Sequence, residues 1–277
     1  MSTILDGKSL SKNIETALIE RVAALKERLL FTPKLATILV GDDESSVTYV
    51  SMKARACKRI GLESLSIKMP KETSTEELLA KIEELNKDKT VCGILLQHPT
   101  PKQIDETACF NKILESKDVD GVNTNNFGKI AMGIDAFKPA TPLGIMMLLK
   151  HYNINVSGKN AVVIGRSQIL GKPIASLLLN EDATVTICHS KTQALNKILK
   201  TADIVVAAVG IPNFIKSKSL KRGVIVIDAG YNAGNVGDVD PYKIDKVSSY
   251  YTPVPGGVGP MTIAALLTQT VEAAEKL

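Results

Sequence analysis

The 277-residue sequence predicts an α/β protein of two domains, each built on a mostly parallel sheet. Three observations predict it. Short apolar runs of strand length alternate with longer amphipathic segments, which is the pattern of βαβ units with helices on both faces of a sheet. The alternation comes in two series, separated by the turn-rich stretch KPATPLG at residues 138–144. Apolar residues make up 44% and charged residues 23%, which supplies a sizeable core and excludes disorder as the main state.

In the first series, Leu10, Ile14, Ala17, Leu18, Val22 and Leu25 recur at helical spacing over residues 10–29. LATILVG (35–41) is a continuous apolar run, as expected of a buried strand. Residues 45–60 read as a helix that Gly61 stops at its C-terminal end. LESLSIKM (62–69) is a second strand. Ser74 and Glu77 form a capping box that opens a helix with Leu78, Leu79, Ile82 and Leu85 on one face. VCGILLQ (91–97) is a third strand. The second series begins with a helix at 145–152. Strands at 160–165 and 184–188 follow, each leading into a helix (170–180 and 193–200), and then strands at 203–209 and 224–230. The tail from residue 260 to 277 has Pro260 near its first turn and one mostly apolar stripe of Ile263, Leu266, Leu267, Thr270, Val271 and Ala274.

Composition narrows the function. Lys plus Arg is 34 and Asp plus Glu 29, so the net charge is +5. That suits small anionic ligands, whereas nucleic acid is not expected, because 4% aromatic residues and no Trp offer no base-stacking platform. No apolar run approaches the ~18 residues of a membrane span, and Asp6 interrupts the opening apolar stretch, so neither a membrane nor secretion is expected. Cys57, Cys92, Cys109 and Cys188 form no CxxC pair and read as reduced thiols of a cytoplasmic protein. His98, His151 and His189 show no metal-ligand spacing, so no metal is expected.

In such sheets ligands sit at the carboxyl ends of strands. AVVIGRSQILGKP places Gly165 and Gly171 between a strand and a helix, a spacing that fits a plain βα turn as well as a phosphate-binding loop. The end of the next strand reads Cys188-His189-Ser190-Lys191-Thr192 and carries no acid for ribose hydroxyls. With Arg166 in the first turn, this favours NADP over NAD, although the same five residues also suit a helix cap. Tyr49 and Lys53 stand four apart on one helical face. Lys53 can be a snorkelling side chain or a base of lowered pKa. Gln97 ends a buried strand and must find polar partners. Asp118 and Asp120 precede Gly121 in what can be only a turn. PVPGGVGPMT, with three Gly and three Pro in ten residues before the last helix, is rigid enough to approach a flat ligand closely.

Order and spacing together say more. DGK, VGDDESSVTYVSMK, GILLQHPTP, KDVDG, KPATPLG, GRSQILGKP, CHSKT, AAVG, GDVD and PVPGGVGPMT run through almost the whole chain. With them the sequence closely resembles the bifunctional methylenetetrahydrofolate dehydrogenase/cyclohydrolase family. The resemblance implies a folate-binding catalytic domain at 1–138, a Rossmann-type NADP-binding domain at 139–259, a cleft between them and a last helix, 260–277, packing back on the first domain. It implies oxidation of 5,10-methylenetetrahydrofolate with NADP to the methenyl compound, then hydrolysis to 10-formyltetrahydrofolate, in a cytoplasmic homodimer. Lys53 becomes the central catalytic residue, tuned by Gln97. Tyr49 lines the pterin pocket and Asp120 grips the pterin edge. Pro255, Gly256 and Gly257 supply backbone around the folate. Gly165, Arg166, Ser167, Gly171 and Pro173 make the dinucleotide loop. Ser190 and Arg166 lie near the 2′-phosphate, and Gly210 and Thr252 near the nicotinamide. Three segments depart from the family pattern. His98-Pro99-Thr100-Pro101 replaces the usual Leu-Pro-Leu-Pro, Ala140 stands for Cys, and DAGYN replaces Asp-Val-Gly-Ile-Asn. None of them removes a catalytic group. A shikimate-type dehydrogenase and a non-catalytic binder are the competing readings; PVPGGVGPMT and the Tyr49/Lys53 spacing oppose the first, and retention of Lys53 and Gln97 the second.

Overall fold

The computed structural model describes residues 2–277, the side chain of residue 45 excepted. The chain forms two compact units. In chain order its elements are β1 (Thr3–Ile4), α1 (Gly7–Leu29), β2 (Lys34–Val40), α2 (Glu44–Ile60), β3 (Glu63–Met69), α3 (Thr75–Lys87), β4 (Val91–Leu96), α4 (Glu106–Lys112) and α5 (Thr124–Ala131). They continue with α6 (Ala140–His151), β5 (Asn160–Ile164), α7 (Gly171–Asn180), β6 (Thr184–Cys188), α8 (Leu195–Leu199), β7 (Ile204–Ala207), β8 (Val224–Asp228), α9 (Ile244–Val247), β9 (Ser248–Tyr251) and α10 (Val258–Glu275).

One unit gathers residues 12–129, 135–140 and 263–277. Its sheet has the order β3-β2-β4, parallel throughout. Because side chains alternate along a strand, β2 feeds two cores. Leu35 joins Leu18, Val22, Leu25, Cys57 and Ile60 with Leu266, Leu267, Val271 and Ala274 of α10. Ala36, Ile38 and Val40 face Leu78, Ile82 and Leu85 of α3 and Phe110 and Ile113 near α4. That two-sided burial explains why β2 from Leu35 to Val40 is apolar on both faces apart from the buried Thr37. Local signals set the helix ends. Asp43 accepts from the Ser46 N–H at 2.8 Å, Gly61 closes α2 at φ +86, and the Ser74/Glu77 capping box forms.

The other unit gathers the opening residues to Ser11, 130–134 and 141–262. Its six-stranded sheet runs β1-β9-β8-β7-β5-β6, all neighbours parallel. From β5 the chain first adds β6 on one side and then β7 on the other, so the strand order reverses between β5 and β7, the usual place for a ligand.

The structure departs from sequence expectation at some boundaries. Helix α6 begins at Ala140 rather than 145, since Pro142 falls in the first turn, where no N–H is needed. Helix α8 begins only at Leu195, after Ala194 at φ +52. β7 ends at Ala207: the Ala208 N–H still donates to the Ile164 carbonyl at 2.8 Å, but the amides of Val209, Gly210 and Ile211 turn to the Asp238 carboxylate. No helix among the described residues is long and apolar enough to cross a membrane.

Candidate active site

Tyr49 and Lys53 both project from α2, one turn apart. Lys53 is only 8% exposed, and Tyr49 is half-buried. Pairing of Ile38 on β2 with Leu96 brings the end of β4 beside them, and the Gln97 N–H continues the ladder to the Ile38 carbonyl at 2.8 Å. The Lys53 ammonium donates to Gln97 Oε1 at 2.9 Å. Burial holds the Lys53 pKa below that of a free lysine, against the pull of the Asp120 carboxylate. Asp120 is pushed up to about 6 by burial, although Lys53, His98 and the Ala140 N–H all favour its charged form. The structure therefore brings Lys53, Gln97 and Asp120 within mutual influence. It shows no direct Lys53–Asp120 hydrogen bond among the described residues. Cys57, one turn beyond Lys53, is pushed up to about 12 by burial and stays a thiol.

Asp120 owes its place to Asp118. The fully buried Asp118 carboxylate accepts from Val122 N–H at 3.1 Å, Asn123 N–H at 2.9 Å and the Asn126 amide at 2.8 Å. Burial nevertheless raises its pKa to about 7. Gly121 completes the turn at φ +65, where a Cβ would lie 2.2 Å from the Lys138 carbonyl carbon. Gly121→Ala therefore combines left-handed strain with a backbone clash. It should destabilise the fold by at least about 2 kcal/mol, read as a lower urea midpoint; an unchanged midpoint would mean that the turn relaxes freely.

In the other unit the strand ends form a row. Ile164 pairs with Cys188 on one side and Ala207 on the other, and Ala207 with Asp228. The segments that follow are thus neighbours along one carboxyl edge. Gly165 adopts φ +122, and a Cβ there would stand 2.1 Å from the Ala208 carbonyl. Gly171 packs as tightly on the Gly165 carbonyl, at 2.4 Å. Both positions need glycine because the loop crosses the strand-order switch in backbone contact. Ser167 Oγ accepts from the Gly171 N–H at 3.2 Å, and Pro173 is buried in the first turn of α7. Arg166, Ser167 and Ser190 are exposed on this edge, and no carboxylate occurs in residues 188–192. His189–Thr192 closes as a turn, with the His189 N–H donating to Thr192 Oγ1 at 2.8 Å.

Gly210 sits at φ +65 with open space where a Cβ would be. Its loop is held by Asp238, whose carboxylate accepts from the N–H groups of Val209, Gly210 and Ile211 at 2.7, 2.9 and 2.9 Å. Asp228 in turn accepts from the N–H groups of Gly230, Asp238 and Val239. Thr252 is buried and its hydroxyl accepts from the Asp228 N–H at 2.7 Å. Gly256 and Gly257 lock onto the start of α1: the Gly256 carbonyl accepts from the Lys8 N–H at 2.9 Å, and a Cβ on Gly7 would stand 1.9 Å from the Gly257 oxygen. Pro255 precedes them in the same loop.

Sequence reasoning gave Asp118 at most a place in a turn, and gave no role to Asp238 or Glu106. Asp238 lies in GDVD and Asp118 in KDVDG, so their motifs were visible while their hydrogen-bonding work was not. Among the described residues no group of three or more His, Cys, Asp or Glu could hold a metal ion.

Comparison with known proteins agrees with this geometry. Residues 5–120 match the family model of the tetrahydrofolate dehydrogenase/cyclohydrolase catalytic domain, and residues 139–277 that of the family's NAD(P)-binding domain. A bifunctional protein FolD from Cellvibrio japonicus is 58% identical over 273 residues, 99% of this chain and 98% of that one. The structure of the bifunctional FolD methylenetetrahydrofolate dehydrogenase/cyclohydrolase from Campylobacter jejuni superposes with a TM-score of 0.97. It is 47% identical and covers 100% of this chain and 99% of its own. The Trypanosoma brucei N5,N10-methylenetetrahydrofolate dehydrogenase-cyclohydrolase, complexed with NADP and an inhibitor, gives a TM-score of 0.95 at 35% identity, covering 99% and 98%. One unit thus carries a buried lysine held by a strand-end glutamine and the other a glycine loop at its strand-order switch, in a sequence matched over nearly its whole length. The chain belongs to the tetrahydrofolate dehydrogenase/cyclohydrolase family of bifunctional enzymes.

Proposed function

We propose that the three-stranded unit carries the folate chemistry on Lys53, Gln97, Asp120 and Tyr49, and that the six-stranded unit takes NADP in preference to NAD. The observation that carries the reading is the Lys53–Gln97 hydrogen bond of 2.9 Å, made by a lysine that burial shifts toward its neutral form.

The reaction has two steps. Hydride leaves the methylene bridge of 5,10-methylenetetrahydrofolate, and the resulting methenyl cation is stabilised by its two flanking nitrogens. No protein base is needed for that step, so orientation of the folate dominates. Asp120 grips the pterin edge, where an ionised carboxylate accepts two N–H bonds, and Tyr49 lines the same pocket. Water then attacks the cation and the ring opens to 10-formyltetrahydrofolate. Lys53 handles the water and its protons, with Gln97 fixing the direction of its amine. Pro255, Gly256 and Gly257 add rigid backbone around the folate.

NADP, when bound, supplies the hydride acceptor. The donor set fits it: Arg166 and Ser190 suit a 2′-phosphate, Ser167 and the Gly165/Gly171 turn suit the pyrophosphate, and no nearby strand-end acid competes for ribose. Gly210 and Thr252 lie toward the nicotinamide, Thr252 by its position, since its hydroxyl is engaged by Asp228. The division at residues 138/139, the homodimer and a cytoplasmic location belong to the same proposal, supported by the family resemblance.

A coupled spectrophotometric assay of both steps, run with NADP and with NAD, tests the reading. Arg166→Ala should narrow the preference by on the order of 10- to 100-fold, mainly through the KM for NADP, because a charged hydrogen bond to phosphate acts on binding. Equal kcat/KM with the two cofactors in the unmutated protein would contradict this assignment.

A further inference from the structure

We infer that Glu106 is a positioning residue for the hydrolytic step, acting through His98 and Thr100 to fix which atom of the Gln97 amide meets Lys53. The inference rests on the reading of Lys53 and Gln97 given above.

The chain of contacts begins at Gln97. Its Nε2 donates to the His98 carbonyl at 2.8 Å, while its Oε1 accepts from Lys53 at 2.9 Å. A carbonyl only accepts and an amine hydrogen only donates. Turning the amide over would set two acceptors face to face at His98, and would aim an N–H instead of an oxygen at the Lys53 amine, reversing the direction of that hydrogen bond. The His98 carbonyl therefore decides the orientation of the amide, and with it the direction in which the Lys53 amine points. That carbonyl is only as fixed as the 98–100 turn that carries it.

Glu106, the first residue of α4, holds this turn at both ends. Its Oε1 accepts from the Thr100 N–H at 2.8 Å and the Thr100 hydroxyl at 2.9 Å. His98 Nδ1 lies 2.9 and 3.0 Å from its two oxygens, so the tautomer with a proton on Nδ1 donates to the carboxylate. His98 and Thr100 are also the two positions at which HPTP departs from the Leu-Pro-Leu-Pro of the family pattern. The polar groups introduced by the departure are thus the ones that a single carboxylate gathers. Leucines at both positions would give that carboxylate no side-chain donor.

Steady-state kinetics on methenyltetrahydrofolate test the inference, with Lys53→Met assayed alongside. Glu106→Ala should lower the hydrolytic kcat about tenfold, the weight of one well-placed hydrogen bond, with KM little changed. Glu106→Gln keeps an oxygen acceptor for the turn and should recover most of the loss. In a Gln97→Ala background, Glu106→Ala should add nothing further, because its route to Lys53 is already cut. A purely structural role would instead lower the unfolding midpoint and add its full penalty in both backgrounds. If Lys53→Met abolishes hydrolysis while Glu106→Ala leaves kcat unchanged, or if the two losses add in full, the inference is wrong and the Lys53 reading stands. If Lys53→Met leaves hydrolysis intact, both fall.

Discussion

Replacing Asp120 by Ala should cost about 2–4 kcal/mol of transition-state stabilisation in both the dehydrogenase and the cyclohydrolase reactions, roughly 30- to 1,000-fold in kcat/KM. The loss is shared because the residue is proposed to hold the substrate, which both steps use. Without the carboxylate, two ligand N–H groups are buried with no acceptor, and the full penalty of an unmade hydrogen bond appears. Asp120→Asn should be nearly as poor, since one amide position donates where an acceptor is required. The environment adds a pH signature. Burial pushes Asp120 up to about 6, and only its ionised form accepts both N–H bonds. The KM for folate in the unmutated protein should therefore rise as pH falls through about 6, as protonation removes an acceptor, whereas Asp120→Asn should show no such inflection. Kinetics of both steps between pH 5 and 8 supply the check. Near-unmutated activity of Asp120→Ala would leave the residue as a turn former only.

Much of this architecture was legible in the sequence because burial on two sheet faces writes a strong signal. β2 and β4 are read directly from continuous apolar runs, and α2 and α3 from their caps at Gly61 and Ser74. The weaker elements escaped for physical reasons. β1 has two residues, and β9, Ser248–Tyr251, is mostly half-exposed and polar, so neither carries a periodicity that can be recognised. α4 and α5 are one to two turns long, too short for a face to repeat. The site divides in the same way. Lys53, Gln97 and Asp120 stand out as polar residues at buried edges. That Lys53 meets Gln97 depends on the register of β2 with β4, which pairs residues more than fifty positions apart and leaves no local trace. The supporting carboxylates were harder still. Asp118, Asp238 and Glu106 hold loops by accepting backbone N–H groups from residues near and far, and a sequence shows the acceptor without showing its donors.

On the proposed reading, Lys53 is where the two activities part. Hydride departure from the methylene carbon requires no proton transfer at the protein, whereas water attack on the methenyl cation does. Methionine keeps most of the stem volume and helix propensity of lysine and removes only the amine. It also removes the burial penalty that now shifts Lys53 toward its neutral form, so the fold has no reason to fail. The hydrolytic step should then fall at least about 10²-fold, the usual scale of lost acid–base catalysis. Oxidation should fall less, to the extent that Lys53 also orients the ligand, and NADP affinity should hardly change, since the residues proposed to bind it lie in the other unit. Measuring both activities of Lys53→Met side by side, with methenyltetrahydrofolate supplied directly for the second step and circular dichroism to confirm the fold, puts this to the test. A selective loss of hydrolysis is the result the geometry predicts. Equal loss of both activities, or hydrolysis that survives, would show that another group handles the water.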